Sequence, residues 1–282
     1  MKAIVQIFIL LTLILTFSCK RVPVKSDKVD KKDTLKQKTA EVKNKVTSDY
    51  LLMATLWYQK SAEMRAIYYQ TYNFAKTILL NKLPYADTLK RKAVVVDIDE
   101  TILDNSPFEA HCITANTTYS KKEWEAWVNK ASAKALPGAV DFLNYAKFKD
   151  VETFYISNRR KNLKQKTIEN LKNLGFPFVD DEHVFLRDSV STKRYRRKKV
   201  LQNYDVLLYI GDNLTDFSEI YEDRDSLFAK NIVDKNIMSF GKDFLILPNP
   251  MYGEWEKPVF NNNMRISAEQ KDSLRKTILD TY

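Results

Sequence analysis

The chain has 282 residues, 44% of them hydrophobic, and its 46 Lys and Arg against 36 Asp and Glu give a formal net charge of +10. These values are ordinary for a globular protein with a sizeable core, as one large domain or two small ones. Two cysteines, one of them assigned below to a lipid, exclude an internal disulfide, and much of the basic excess sits in one terminal segment, so charge alone does not call for nucleic acid.

In chain order, Lys2 precedes an apolar run from Ala3 to Phe17, roughly 15 residues, which suits the h-region of a secretory signal and is short of the ~20 needed to span a bilayer. The run ends in Thr16-Phe17-Ser18-Cys19, which resembles a bacterial lipobox with a bulky Phe17. The expectation is a signal peptide over 1–18 and a lipid anchor on Cys19, with a plain secretory signal as the alternative. Residues 19–47 mix Lys, Asp, Thr, Gln and Val without one aromatic residue. They read as a flexible basic tether, attracted by an anionic lipid surface.

The remainder, 48–282, reads as the folded domain. Leu52, Leu56, Tyr58, Met64, Ile67, Tyr68 and Phe74 fall at helical spacing from Asp49 to Leu80, and Pro84 ends the run. Apolar runs then predict strands at Ala93–Ile98, Val151–Ile156, Val184–Leu186, Val206–Ile210 and Phe244–Leu247. Helical stretches separate them, such as Lys161–Leu174, stopped by Gly175. Alternating strands and helices imply an α/β fold with a doubly wound parallel sheet. The interval of about 105–135 breaks the alternation with Tyr119, Trp124, Trp127 and a Ser120-x-x-Glu123 capping box, and reads as a helical cap-like insertion over the strand ends. A second capping box, Ser267 to Gln270, opens a short last helix. Cys112 reads as a small hydrophobe, and the basic run Lys193–Lys199 as the exposed face of a helix rather than a nucleic-acid surface.

Two strand ends carry the chemistry. Asp97-Ile98-Asp99-Glu100-Thr101 follows the first strand, and Gly211-Asp212-Asn213-Leu214-Thr215-Asp216 follows the fourth. Ligands of parallel sheets sit at the carboxyl ends of the strands. Carboxylates gathered there are costly unless a cation neutralises them, and hard oxygens select Mg2+ or a similar ion, so Asp97, Asp99, Asp212 and Asp216 are candidate metal ligands. A carboxylate becomes a useful nucleophile toward phosphorus when a metal neutralises the phosphate, a role that suits Asp97. Asp99 suits the acid that protonates the departing alkoxide and the base that then activates water. Thr101, Ser157 and the Asn158 backbone N–H can donate to phosphate oxygens. Lys193 opens a helix and can bring a positive charge there, with Arg196, Lys198 and Lys199 competing for that role. Taken singly, each acidic residue would be a turn or cap residue, as Asp104 is expected to be.

These segments resemble the haloacid-dehalogenase superfamily and, within it, the class C acid phosphatases, which are bacterial outer-membrane lipoproteins. The matching words are Val96-Asp97-Ile98-Asp99-Glu100-Thr101-Ile102-Leu103-Asp104-Asn105-Ser106-Pro107 and Tyr209-Ile210-Gly211-Asp212-Asn213-Leu214-Thr215-Asp216-Phe217. Trp57-Tyr58-Gln59-Lys60-Ser61-Ala62-Glu63, Leu136-Pro137-Gly138-Ala139, Ser157-Asn158-Arg159 and Leu247-Pro248-Asn249-Pro250-Met251-Tyr252-Gly253-Glu254-Trp255 extend the match. The resemblance implies Asp97 as nucleophile and metal ligand, Asp99 as acid/base and ligand through its carbonyl, Asp212 as ligand, and Asp216 as an acid just outside. It places Ser157, Asn158 and Lys193 around the phosphate. It further implies Mg2+-dependent hydrolysis of phosphomonoesters, often nucleoside monophosphates, at acidic pH, on an outer membrane. Tyr252 falls where the family stacks an aromatic on the substrate; His111 stands where some relatives put a large aromatic, and Phe108 replaces a common tyrosine. A dehalogenase on the same fold is disfavoured by Asp99, a proton donor that carbon–halogen chemistry does not need. The other alternative is a non-catalytic lipoprotein that binds phosphate ligands or serves in adhesion.

Overall fold

Four consecutive apolar residues, Ala93 to Val96, are all buried, which requires cover on both faces of β1 (Arg91–Val96). In the computed structural model, which describes residues 49–224 and 228–282, β1 is the central strand of a parallel sheet. It pairs with β4 (Val151–Arg160) on one side and β6 (Tyr204–Gly211) on the other. β5 (Val184–Arg187) lies outside β4, and β7 (Phe244–Ile246) outside β6, giving the order β5-β4-β1-β6-β7. Side-chain alternation sends Val94 and Val96 into the larger core cluster and Ala93 and Val95 into a smaller one on the opposite face. Cys19 and the residues expected to form a signal peptide and a tether lie outside the described residues.

The larger core is built on α1 (Leu52–Lys60), α2 (Ala62–Lys82), α5 (Ala139–Phe148) and α6 (Lys164–Asn173), while α7 (Arg194–Asn203) contributes Val200 to the smaller one. The single helix expected over 49–80 is two, because Ser61 turns extended and its hydroxyl accepts the Met64 N–H at 3.1 Å, capping α2. Tyr68, Tyr72, Ala75 and Leu79 then form one fully buried stripe along α2. Gly175, in the left-handed region at φ +80°, closes the end of α6.

The segment expected to be a cap-like insertion is bounded by an antiparallel pair, β2 (Leu103–Asp104) with β3 (Lys134–Ala135). Between them are α3 (Ser106–Thr114) and α4 (Lys121–Asn129), the second capped by Ser120. After β6 come α8 (Lys230–Lys235), β7 and α9 (Ala268–Thr277), whose Ser267–Gln270 capping box is formed in both directions. Among the described residues no helix is long and apolar enough to cross a membrane.

The chain walks from β1 through β4 to the β5 edge, then returns to lay β6 on the other side of β1. The order reverses between β1 and β6, so the crevice at their carboxyl ends is where ligands bind in such sheets. Asp97 and Asp212 are the residues that follow those two strands.

Candidate active site

Asp97 is fixed by its own backbone, whose N–H donates to the Ile210 carbonyl at 3.0 Å and ties the end of β1 to β6. Facing it, the loop after β6 folds into a single 3-10 turn, Leu214–Asp216, rather than a full helix. Asn213 and Asp216 cap that turn reciprocally, and Asp216 Oδ2 accepts the Asn213 N–H at 3.0 Å. Gly211 permits this return, since a Cβ there would overlap the Asp216 carboxylate. One oxygen from each of Asp97, Asp212 and Asp216 then lies within 4.8 Å of the others. Lys193, just ahead of α7 and 4% exposed, pairs with Asp97 and, at 2.6 Å, with Asp216.

Three carboxylates against one ammonium leave two negative charges when all are ionised, the charge a divalent cation cancels. Burial pushes the Asp97 carboxyl up to about 7; the Lys193 ammonium opposes this, and Asp216 and Asp99 add to it. Asp212 is held well above the ordinary carboxylate range by burial and then by Asp216 and Asp97, against a 2.8 Å hydrogen bond from Asn249. Burial alone would lower the Lys193 ammonium, but Asp216 and Asp97 outweigh it and hold it above its usual value. Hard-oxygen ligands carrying this charge, with Asp97 and Asp216 buried and Asp212 half-buried, fit a cation such as Mg2+.

Asp99 is held apart from that cluster. Its Oδ2 accepts from Ser157 Oγ at 3.0 Å, and its Oδ1 from Arg159 Nε at 2.9 Å and Asn105 Nδ2 at 2.8 Å. Asn105 is itself oriented by Trp127 Nε1 at 2.9 Å and by Arg159 at 3.3 Å. Arg159 comes within reach because β4 continues to Arg160 instead of stopping at Ile156, which puts residues 157 and 159 on one face. The segment between Asp97 and Asn105 is gripped from below. Glu100 sits in the left-handed region at φ +54°, its carbonyl accepts from the Tyr68 hydroxyl, and the Thr101 carbonyl accepts from Tyr72 at 2.7 Å. The fully buried Glu100 carboxyl is kept well above its usual value by burial and then by Asp99 and Asp212, and it accepts the Asn105 N–H at 2.8 Å.

A cleft of about 1000 Å³ opens on these groups, lined by Asp97, Asp99, Lys193, Asp212 and Asp216. Of the other expected residues, Tyr252 and Asn158 line it, and the Asn158 side chain accepts from Arg196 at 2.7 Å. Ser157 is buried, with its hydroxyl engaged by Asp99 and by the Arg159 N–H at 3.0 Å. Lys198 and Lys199 are exposed and Arg196 holds the end of β4, which leaves Lys193 as the ammonium at the carboxylates. Two of the expected residues stand away from the cleft. Thr101 is fully buried and does not line the cleft. His111 is exposed on α3 and does not line it either; Glu109 does, since two residues at about 100° each bring opposite faces of a helix forward. The residues not anticipated are Arg159 as a partner of Asp99, Asn105, Trp127 and the tyrosines of α1 and α2.

Comparison with known proteins agrees with this geometry. The family described as HAD superfamily, subfamily IIIB (acid phosphatase) matches residues 12–255. The class C acid phosphatase from Bacillus anthracis superposes with a TM-score of 0.80 at 41% identity, covering 83% of this chain and 98% of that one. A tungstate-bound structure of the same protein gives 0.80 at 42%, with the same coverage. Among curated proteins, a stem 31 kDa glycoprotein of Glycine max is 26% identical over 164 residues, 56% of this chain, which spans 58% of that protein's length. The chain belongs to the acid phosphatase family of the HAD superfamily, subfamily IIIB.

Proposed function

We propose that the chain hydrolyses phosphomonoesters through an aspartyl-phosphate formed on Asp97. The observation that carries this is the buried Asp97 carboxylate, set among Asp212, Asp216 and Lys193 at the end of a cleft-facing strand. Asp97, Asp212 and Asp216, with the Asp99 carbonyl, would hold a divalent cation, for which Mg2+ is our reading. Such a cation would offset the phosphate's charge and favour in-line attack. Lys193 adds a positive charge for the phosphate oxygens once it is drawn from Asp97. Attack of an Asp97 oxygen on phosphorus breaks the ester bond, and Asp99 delivers the proton that the departing alkoxide needs. Water then attacks the aspartyl-phosphate, giving its proton back to Asp99 and freeing Asp97 and phosphate. As held here, both Asp99 oxygens accept hydrogen bonds, so proton delivery requires one of them to turn from Ser157, Asn105 or Arg159 toward the cleft.

Tungstate in the Bacillus anthracis relative, an oxyanion like phosphate, supports a phosphate site. The substrate class we favour is nucleoside monophosphates or similar small esters, for which Tyr252 offers a stacking face, with activity at acidic pH. The apolar run before Ser18-Cys19 supports export and a lipid anchor on Cys19 in the bacterial envelope, the outer membrane being our reading; Cys19→Ala should release the protein from membranes. The deciding assay is hydrolysis of p-nitrophenyl phosphate with and without Mg2+. Asp97→Asn should abolish turnover while the melting transition remains cooperative. Full activity in that variant would exclude the mechanism, and phosphate-ester binding without turnover in any divalent metal would favour a non-catalytic lipoprotein.

A further inference from the structure

Most of the cleft lining takes no part in the chemistry above. Among the described residues the Glu109 side chain is 8% exposed and lines the cleft, and no hydrogen bond or ion pair holds its carboxylate. The charge it feels is that of another carboxylate, Glu256, which is itself tied to Arg275 at 3.2 Å. Burial, with Glu256 adding to it, pushes Glu109 up to about 7. A buried carboxylate in this setting is costly, and a ligand that brings a positive donor relieves the cost.

The surrounding surface suits such a ligand. Tyr50, Tyr119, Trp124 and Tyr252 line the same cleft. Two of these rings already carry cations, with the Arg275 guanidinium 3.7 Å from the centre of Tyr50 and that of Arg159 5.8 Å from Trp124. Aromatic faces beside an unpaired carboxylate are the chemistry that recognises an alkylammonium. Of this wall, Glu256 and Arg275 lie beyond residue 255, where the family match ends, and Glu109, Tyr119, Trp124 and Tyr252 lie within it.

We propose that Glu109 selects the leaving group, receiving the positively charged nitrogen of an aminoalkyl phosphomonoester whose phosphate sits at Asp97. The proposal rests on the phosphatase reading. Its test compares kcat/KM at pH 8, where the Glu109 carboxyl is ionised, with Mg2+, for ω-aminoalkyl phosphates of increasing chain length against the n-alkyl phosphates of equal length, in the wild type and in Glu109→Gln. At one chain length or more the wild type should favour the amino ester by about tenfold, the scale of one charge-assisted contact, and the ratio should fall toward unity in the variant. As a second measurement on the wild type alone, hexylamine should inhibit p-nitrophenyl phosphate hydrolysis more strongly than hexanol. An absent preference, a ratio unchanged in Glu109→Gln, or equal inhibition by amine and alcohol would overturn it. Wild-type protein that hydrolyses no ester with any divalent ion overturns the phosphatase reading and this inference with it, whereas hydrolysis without discrimination overturns this inference alone.

Discussion

Replacing Lys193 by methionine keeps most of the side-chain volume and removes the one ammonium between Asp97 and Asp216. All three side chains are under a tenth exposed, at 4%, 7% and 6%. Removing one partner of a buried ion pair costs about 3–5 kcal/mol, because the remaining charge stays buried. At roughly 2–4 °C per kcal/mol for a domain above 150 residues, that is a melting temperature lower by about 6–20 °C. The loss should depend on pH. The Asp97 carboxyl already stands at about 7 in the folded protein, above its ordinary 3.8, so folding takes up a proton between those values and stability falls as pH rises through them. Without the ammonium, which opposes this rise, the carboxyl moves higher and the window extends upward. Melting of wild type and variant in EDTA should therefore differ most at pH 8 and least at pH 5, and Mg2+ should narrow the gap at pH 8. An equal loss at both pH values would refute the reasoning, since lost packing alone does not titrate.

Two further substitutions test how the site is positioned. Gly211→Ala places a methyl against the Asp216 carboxylate, so the turn must shift and the Lys193 pairing with it; kcat should fall by at least about tenfold, the cost of an ångström-scale misplacement, while the fold survives. Wild-type kcat in that variant would show that Asp216 has room to move. Tyr72→Phe removes the hydroxyl that donates to the Thr101 carbonyl at 2.7 Å but keeps the ring against Phe142. Leaving that buried carbonyl unpaired should cost about 1–3 kcal/mol in urea unfolding, and an unchanged midpoint would mean the loop is held without it.

Much of the fold was legible because buried parallel strands write themselves as apolar runs; Ala93–Val96 and Val206–Ile210 needed only their neighbours' length to be placed. The acidic loops were legible for the complementary reason, that carboxylates at strand ends have no structural excuse in such number. What was hidden depended on local phase. Ser61 carries no sequence mark that separates a capping serine from one inside a helix, so two helices read as one. The sequence alone ends β4 at Ile156, because Ser157-Asn158-Arg159 is polar, and here those residues continue the strand because tertiary partners such as Asp99 await them. His111 shows the same limit: its residue type suited the site, but the rotation of α3 was fixed by Phe108 and Cys112 packing inward, and that rotation brings Glu109 to the cleft instead. A residue's chemistry is visible in sequence; which way it faces is decided by what packs behind it.

Arg159 decides whether the Asp99 cradle is positioning machinery or part of the phosphate site. Its side chain is 1% exposed, and its guanidinium reaches Asp99 at 2.9 Å, Asn105 at 3.3 Å and Thr167 at 3.3 Å. Lysine at this position keeps the charge but cannot reproduce a fork that serves three partners. If Arg159 acts by holding Asp99, Arg159→Lys should lower kcat by about 10–100-fold, the 1.5–3 kcal/mol scale of a charged hydrogen bond, with KM and the inhibition constant of inorganic phosphate unchanged. If it binds phosphate directly, both constants should rise together with the loss in kcat. Asn105→Ala adds the discriminating cycle. Asn105 donates to the same Asp99 oxygen and accepts from Arg159, so the double variant should lose less than the product of the single losses. Strict multiplication of the two effects, or a rise in the phosphate inhibition constant, would show that Asp99 is not what these residues serve.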